Sequence, residues 1–173
     1  MPDFNASNAE CVIFTYKEGL LSAVAHDLRI QVNDFTVEID EQKSVCATFN
    51  ASSLRVVNAV HNGADNPGAL SDGDKKKIEE SIVKDVLHSS RFPKIEFRSE
   101  SVEPGNGGFQ IDGKLTLHGT TRSVPVNVRE EDNRYVAEVA LNQPDFGVKP
   151  FSAMFGTLKI KPEIKVRISL PRN

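Results

Sequence analysis

From Phe109 to Leu117 every second residue is apolar or glycine (Phe109, Ile111, Gly113, Leu115, Leu117), while Gln110, Asp112, Lys114, Thr116 and His118 take the alternate positions. A period of two puts the first set on one face of a strand and the second on the other, so this stretch belongs in a sheet with one buried and one wet face. Val124, Val126 and Val128 resume the pattern after the small and polar run Gly119–Ser123, which reads as the connection of an antiparallel hairpin. An antiparallel sheet that is wet on one side has to bury the other, against a second layer or by curling round on itself.

The same period recurs along the chain. Leu158, Ile160, Pro162, Ile164, Val166, Ile168 and Leu170 alternate with residues that are nearly all charged, a strand whose polar face needs water; Pro162, which has no N–H, marks a bulge or an edge. Leu28, Ile30 and Val32 share one parity and Phe35, Val37 and Ile39 the other, which places a bulge or sharp bend at Asn33-Asp34. Strands are also expected around Ala9–Tyr16, Val45–Phe49, Ile95–Phe97 and Tyr135–Leu141, about eight in all. Eight strands can close into a barrel whose interior holds side chains or one small ligand. Asn58–Gly73 has no usable period and reads as a long loop. Ile78, Ile82 and Val86 then recur every fourth residue, opposite Lys76, Lys77, Glu80 and Lys84, predicting one amphipathic helix over roughly Asp74–Leu87, capped by Ser71 or Asp72. The strands' outer faces are too polar to receive its apolar stripe, so it is expected across an open end.

Composition serves mainly to exclude. The length of 173 residues, 39% of them hydrophobic and 26% charged, suits one soluble domain spanning 1–173. A net charge of −3 with basic and acidic residues interleaved gives no footprint for nucleic acid. The sequence has no apolar run long enough to cross a membrane as a helix, and the opening MPDFNASNAE lacks the regions of a secretory signal, so no stable membrane insertion and a cytoplasmic setting are expected, periplasmic if a leader was removed. Cys11 and Cys46 read as reduced thiols. The histidines, His26, His61, His88 and His118, lie far apart without metal-ligand spacing, and no metal or cofactor is expected. Gly108–Lys114 fits G-x-x-x-x-G-K, but Leu115 stands where the phosphate loop needs Ser or Thr and the interval alternates as a strand. His26 and Asp27 are neighbours that an extended backbone points to opposite faces, so they form no catalytic dyad, and no enzyme is expected.

Three stretches, DVLHSSRFPKIEFRSESV (Asp85–Val102), GKLTLHGTTRSVPVNV (Gly113–Val128) and NQPDFGV (Asn142–Val148), in this order and spacing, resemble the marks of the YceI-like family. The resemblance implies an all-β fold: an eight-stranded antiparallel lipocalin-like β-barrel with one inserted amphipathic α-helix. It further implies an elongated apolar cavity that binds polyisoprenoid lipids, and often a homodimer. Family members commonly carry an arginine two residues before the aspartate of the third stretch, where this chain has Gln143.

On this reading the partner is an apolar, isoprenoid-like lipid, a quinone-like molecule or a fatty amide, bound, sequestered or transported in the barrel without chemistry. Candidate liners, taken from the apolar parity, are Phe14, Phe35, Phe49, Phe97, Leu115, Leu117, Phe146, Phe155, Ile160 and Val166. His26, Arg29 and Arg122 are candidate contacts for a polar head at the mouth. Two other classes stay open: a lipid-acting enzyme, which needs an inward titratable group, and a protein-interaction barrel filled by its own side chains.

Overall fold

The computed structural model describes residues 3–18, 26–153 and 158–172. In chain order the strands are β1 (Asp3–Asn5), β2 (Glu10–Thr15), β3 (Lys17–Glu18), β4 (Asp27–Val32), β5 (Phe35–Ile39), β6 (Val45–Asn50), β7 (Leu54–His61), β8 (Ala64–Asn66), β9 (Lys94–Gly105), β10 (Gly108–Leu117), β11 (Thr120–Glu131), β12 (Arg134–Asn142), β13 (Ser152–Ala153), β14 (Leu158–Ile160) and β15 (Glu163–Pro171). Twelve of them form one antiparallel sheet in the order β1, β5, β6, β9, β10, β11, β12, β15, β2, β4, β7, β8; β13, β14 and β3 form a small second sheet.

This sheet is strongly curled, and two short links show why. Asn33-Asp34 joins β4, third from one edge, to β5, second from the other, and Ala51–Ser53 joins β6 to β7 across the same gap. Links this short hold the two ends of the sheet side by side. Hydrogen bonds stitch them: Asn33 N–H donates to the Ser53 carbonyl at 3.1 Å, Asn50 N–H to the Asp34 carbonyl at 2.9 Å, and the Asn50 side-chain amide to the Asp34 carboxylate at 3.0 Å. The parity shift at Asn33-Asp34 is therefore the point where the chain steps from one end of the sheet to the other.

The main sheet holds twelve strands where the sequence led us to expect eight. Much of the difference lies in the supposed loop from Asn58, which the structure replaces with the end of β7 and the short edge strand β8. A register shift opposite Arg29/Ile30 breaks the period of β7, so Leu54 and Val56 are buried on one parity and Ala59 on the other, and no regular alternation survives in its sequence. The final alternating run is likewise split into β14 and β15 by Lys161-Pro162, where proline cannot donate to a ladder.

The expected hairpin forms between β10 and β11, with Phe109 opposite Val128, Ile111 opposite Val126 and Gly113 opposite Val124. Its connection is tighter than expected. His118 and Gly119 alone make the turn, both in the left-handed region with φ of 54° and 75°, and Thr120–Ser123 already belong to β11. Two successive positive φ values match the twist of the flanking strands, as in a type I′ hairpin.

The helix forms where its period predicts. α1 (Asp72–Ser81) continues into one wider π-type turn at Ile82–Val86, and Ser71 caps it: its hydroxyl accepts from Asp74 N–H at 3.1 Å while the Asp74 carboxylate accepts from Ser71 N–H at 3.2 Å. Ile78 and Ile82 pack on a core cluster containing Leu54 and Val56 of β7, and Val86 lies with Leu115, Leu117 and Val124 of the facing hairpin. The segment thus spans from one end of the sheet to the opposite wall, across an opening of the curl. Glu79 accepts a hydrogen bond from Val56 N–H at 2.8 Å, satisfying a backbone donor of β7.

Candidate functional site

Inside the curl lies a cavity of ≈ 490 Å³ whose wall is almost wholly aliphatic and aromatic. Its size falls within the ~300–1,000 Å³ of single-ligand sites. The wall follows from the strand parity: Ile111 and Leu115 of β10, Val124 and Val126 of β11, and Val166 and Ile168 of β15 all point inward from alternate positions. The void is preserved where the wall carries small residues. Ala47 and Ala137 line it directly, and Gly113 has no side chain, its place taken by the Phe97 ring.

Of the candidate liners, Phe49, Phe97, Leu115, Leu117 and Val166 line the cavity. Phe35 and Phe146 are buried at 3% and 2% exposure but stand behind the wall; Phe35 stacks on Phe49 with ring centroids 6.0 Å apart, and Phe146 packs under Leu115 and Leu117. Phe14 sits in register between Lys165 and Arg29, on the face opposite to its inward neighbour Ile13. Ile160 pairs with Lys17 in the small sheet and does not reach the cavity. Phe155 lies outside the described residues.

The three candidate head contacts do not line the cavity either. Arg29 alternates with the buried Leu28 and Ile30, so it points outward, where it pairs with Glu10 at 3.0 Å and Asp65 at 3.5 Å. His26 precedes β4, half-buried. Arg122 lies opposite Leu115 in the ladder, on the inward parity near the hairpin tip, but its side chain is exposed and its Nε donates to the Asp145 carbonyl at 2.9 Å.

Polar liners outside the candidate set are Lys43, Asn50, Gln143 and Tyr135, the last on the same parity as Ala137, Val139 and Leu141. Lys43 sits in the Asp40–Ser44 turn, and neither its charge nor its position marks it as a liner; only the curl brings it over the cavity. Its Nζ stands 5.3 Å from the Phe109 ring centroid, a cation–π distance, and the Phe109 ring in turn meets Tyr135 at 5.9 Å. Cys11 is also a liner; burial, reinforced by Glu10, pushes its thiol pKa to about 12, so it stays a neutral, apolar surface near pH 7.

The three stretches that carry the family resemblance meet around one side chain, His118. Its ring lies 4.5 Å from Phe92 and 5.4 Å from His88 and hydrogen-bonds the Phe146 backbone. Gly119 is required here twice over, since a Cβ would also run into the Phe92 ring at 2.7 Å. Burial holds the His118 pKa below the usual imidazole value, with His88 and Arg91 acting in the same sense and a hydrogen bond to the Phe146 backbone opposing them. This knot ties the end of the helical segment to the hairpin tip. Among the described residues no group of three or more His, Cys, Asp or Glu side chains is arranged to hold a metal, and no helix is long and apolar enough to cross a membrane.

The sequence profile of the YceI-like domain matches residues 5–171, nearly the whole of a chain whose curled sheet and apolar interior are now in view. The chain belongs to the YceI-like family. Solved structures agree on the fold. BcnA of Burkholderia cenocepacia superposes with a TM-score of 0.61 at 18% identity, covering 96% of this chain and 97% of its own. A polyisoprenoid binding domain from Saccharophagus degradans, described as implicated in plant cell wall breakdown, gives 0.55 at 11% identity, covering 94% and 91%. The Campylobacter jejuni YceI protein gives 0.53 at 12% identity, covering 84% of each chain. No curated protein matches the sequence. At these identities the YceI-like neighbours speak for the fold, and the ligand has to be argued from the cavity.

Proposed function

We propose that this YceI-like protein binds one apolar, chain-like lipid inside the curled sheet and sequesters or carries it without converting it. The observation that carries the reading is the ≈ 490 Å³ cavity with a wall of Phe, Leu, Ile and Val side chains. Moving a hydrocarbon chain from water into such a wall contributes on the order of 25 cal/mol per Å² of apolar surface, before the cost of ordering the chain. Isoprenoid chains suit the site on the analogy of the Saccharophagus degradans domain, which its description names as polyisoprenoid binding; quinone-like molecules and fatty amides offer the same apolar body.

Two features support binding over the alternatives. The described cavity wall is aliphatic and aromatic along its length, and its titratable liners, Cys11, Lys43 and Tyr135, form no nucleophile–base pair joined by a hydrogen bond. A barrel built only as a protein-docking scaffold has no need of an unfilled interior, since close packing stabilises and voids cost. Native mass spectrometry of the purified protein, with organic extraction of the same sample, tests the proposal. One stoichiometric apolar compound per chain is expected; protein that is free of such a compound and takes up none when isoprenols or fatty amides are supplied contradicts it.

A further inference from the structure

Of the polar side chains on the cavity wall, two are already committed. Asn50 bonds Asp34 through its amide nitrogen and accepts from Ser52 N–H and Oγ, while Gln143, buried at 8% exposure, donates to the Lys161 carbonyl. The other two, Lys43 and Tyr135, both stand against the Phe109 ring, at 5.3 Å and 5.9 Å from its centroid. Among the described residues no carboxylate pairs with the Lys43 ammonium and no side chain holds the Tyr135 hydroxyl.

The turn that carries Lys43 is built to present it. Asp40 turns its carboxylate inward on the turn, accepting from Gln42 N–H at 2.9 Å and Ser44 N–H at 2.8 Å, and Lys43 N–H donates to the Asp40 carbonyl at 3.0 Å with Lys43 at φ 67°. The Asp40 carboxylate is thereby occupied within the turn, and Glu41, the other acid of the turn, is exposed.

We propose that the lipid carries an anionic head, a carboxylate or a phosphate, held at Lys43 and Tyr135, with its tail running inward past Phe97 and Leu115 toward Leu117 and Leu87. This rests on the cavity being a lipid site and adds to it the charge of the ligand and the direction in which it lies. A long flexible stem lets the ammonium cover the apolar rim while its charge stays at the water boundary, where an anionic head is least costly to place. The Tyr135 hydroxyl supplies a donor to the same head group. His26, Arg29 and Arg122, the mouth contacts expected from the sequence, are not among the residues that line the cavity.

The test pairs ligands that differ only in the head: dodecanoate against dodecanol, and farnesyl phosphate against farnesol, each titrated by calorimetry into the full chain, into Lys43→Met and into Tyr135→Phe. The wild type is expected to prefer each anion over its alcohol by about tenfold, the scale of one charge-assisted hydrogen bond. Lys43→Met collapses both ratios toward one, and Tyr135→Phe lowers them in part. A preference in the carboxylate pair alone identifies a fatty-acid head, in the phosphate pair alone an isoprenyl phosphate. Binding of acids and alcohols alike, with ratios that Lys43→Met leaves where they were, overturns the head-group assignment while the lipid site stands. No binding of any of the four removes the lipid site itself.

Discussion

The Phe97 ring lies against the backbone of Gly113, in the space that the Cβ of any other residue would fill. In the β9–β10 ladder Gly113 pairs with Ser99 and Phe97 with Leu115, so the ring crosses diagonally onto the glycine at the register shift that follows Asp112, where the glycine both allows the strand to bend and leaves room for the ring that walls the cavity. Gly113→Ala forces the ring and the Arg98 carbonyl to move, and is expected to destabilise the fold by about 1–3 kcal/mol, the usual cost of overpacking. Urea unfolding measures it; a midpoint equal to the wild type contradicts the packing described.

Filling the void should separate folding from binding. Val139 faces the cavity between Leu141 and Ala137, in register with Val166. Val139→Trp places a ring in unoccupied volume, so the far-UV circular dichroism spectrum is expected to be retained while affinity for dodecanol falls by at least about tenfold. Unchanged affinity in a folded variant places the lipid elsewhere.

His118 should make the fold sensitive to mild acid. Its folded-state pKa is held down by burial and by the neighbouring His88 and Arg91, so below the ordinary imidazole value of about 6.5 the unfolded chain takes up a proton that the native site resists. The stabilising effect of the neutral ring is thus present above about pH 6.5 and is lost as the pH falls through the lower native value. In His118→Asn the turn becomes Asn-Gly, the favoured type I′ pair, and the variant is expected to lose less stability than the wild type between about pH 7 and about pH 5. Denaturant midpoints at the two pH values decide; identical losses refute the assignment.

The cap on the helix is a separable element. Ser71→Ala removes the hydroxyl that accepts from Asp74 N–H, and about 1 kcal/mol of stability should go with it, read from the thermal or urea transition. Glu79→Ala leaves Val56 N–H without its acceptor, and amide exchange at Val56 should accelerate while exchange at the far side of the sheet, for instance at Val126, stays as in the wild type.

What the sequence made legible was whatever depends on local period. The inward set of β10, the helix beginning at Ser71 and the step at Asn33-Asp34 all follow from alternation or from a capping residue, and each is where it was expected. The strand β7 was hidden because its register shift erases the period that would announce it. The turn at His118 was missed because histidine at φ 54° is not a residue type that signals a two-residue hairpin. Within the site, parity did not separate wall from core, so Phe35 and Phe146 read like Phe49 and Phe97 although they stand one layer back, and in β2, where both parities are apolar, it gave Phe14 in place of Ile13. Lys43 was invisible for a different reason: a charged residue in a turn becomes a liner only once the curl has brought β5 and β6 round to face Phe109.

The central claim, that a hydrocarbon chain lies inside the curl, is most directly tested by methyl-labelled NMR of Leu and Val during titration with dodecanol. Saturating ligand should shift the methyl signals of Leu115, Leu117, Val139 and Val166 and leave that of Val83, on the outer polar groove of the helix, unmoved. Shifts confined to Val83 and other surface methyls, with the four interior residues silent, would contradict the account.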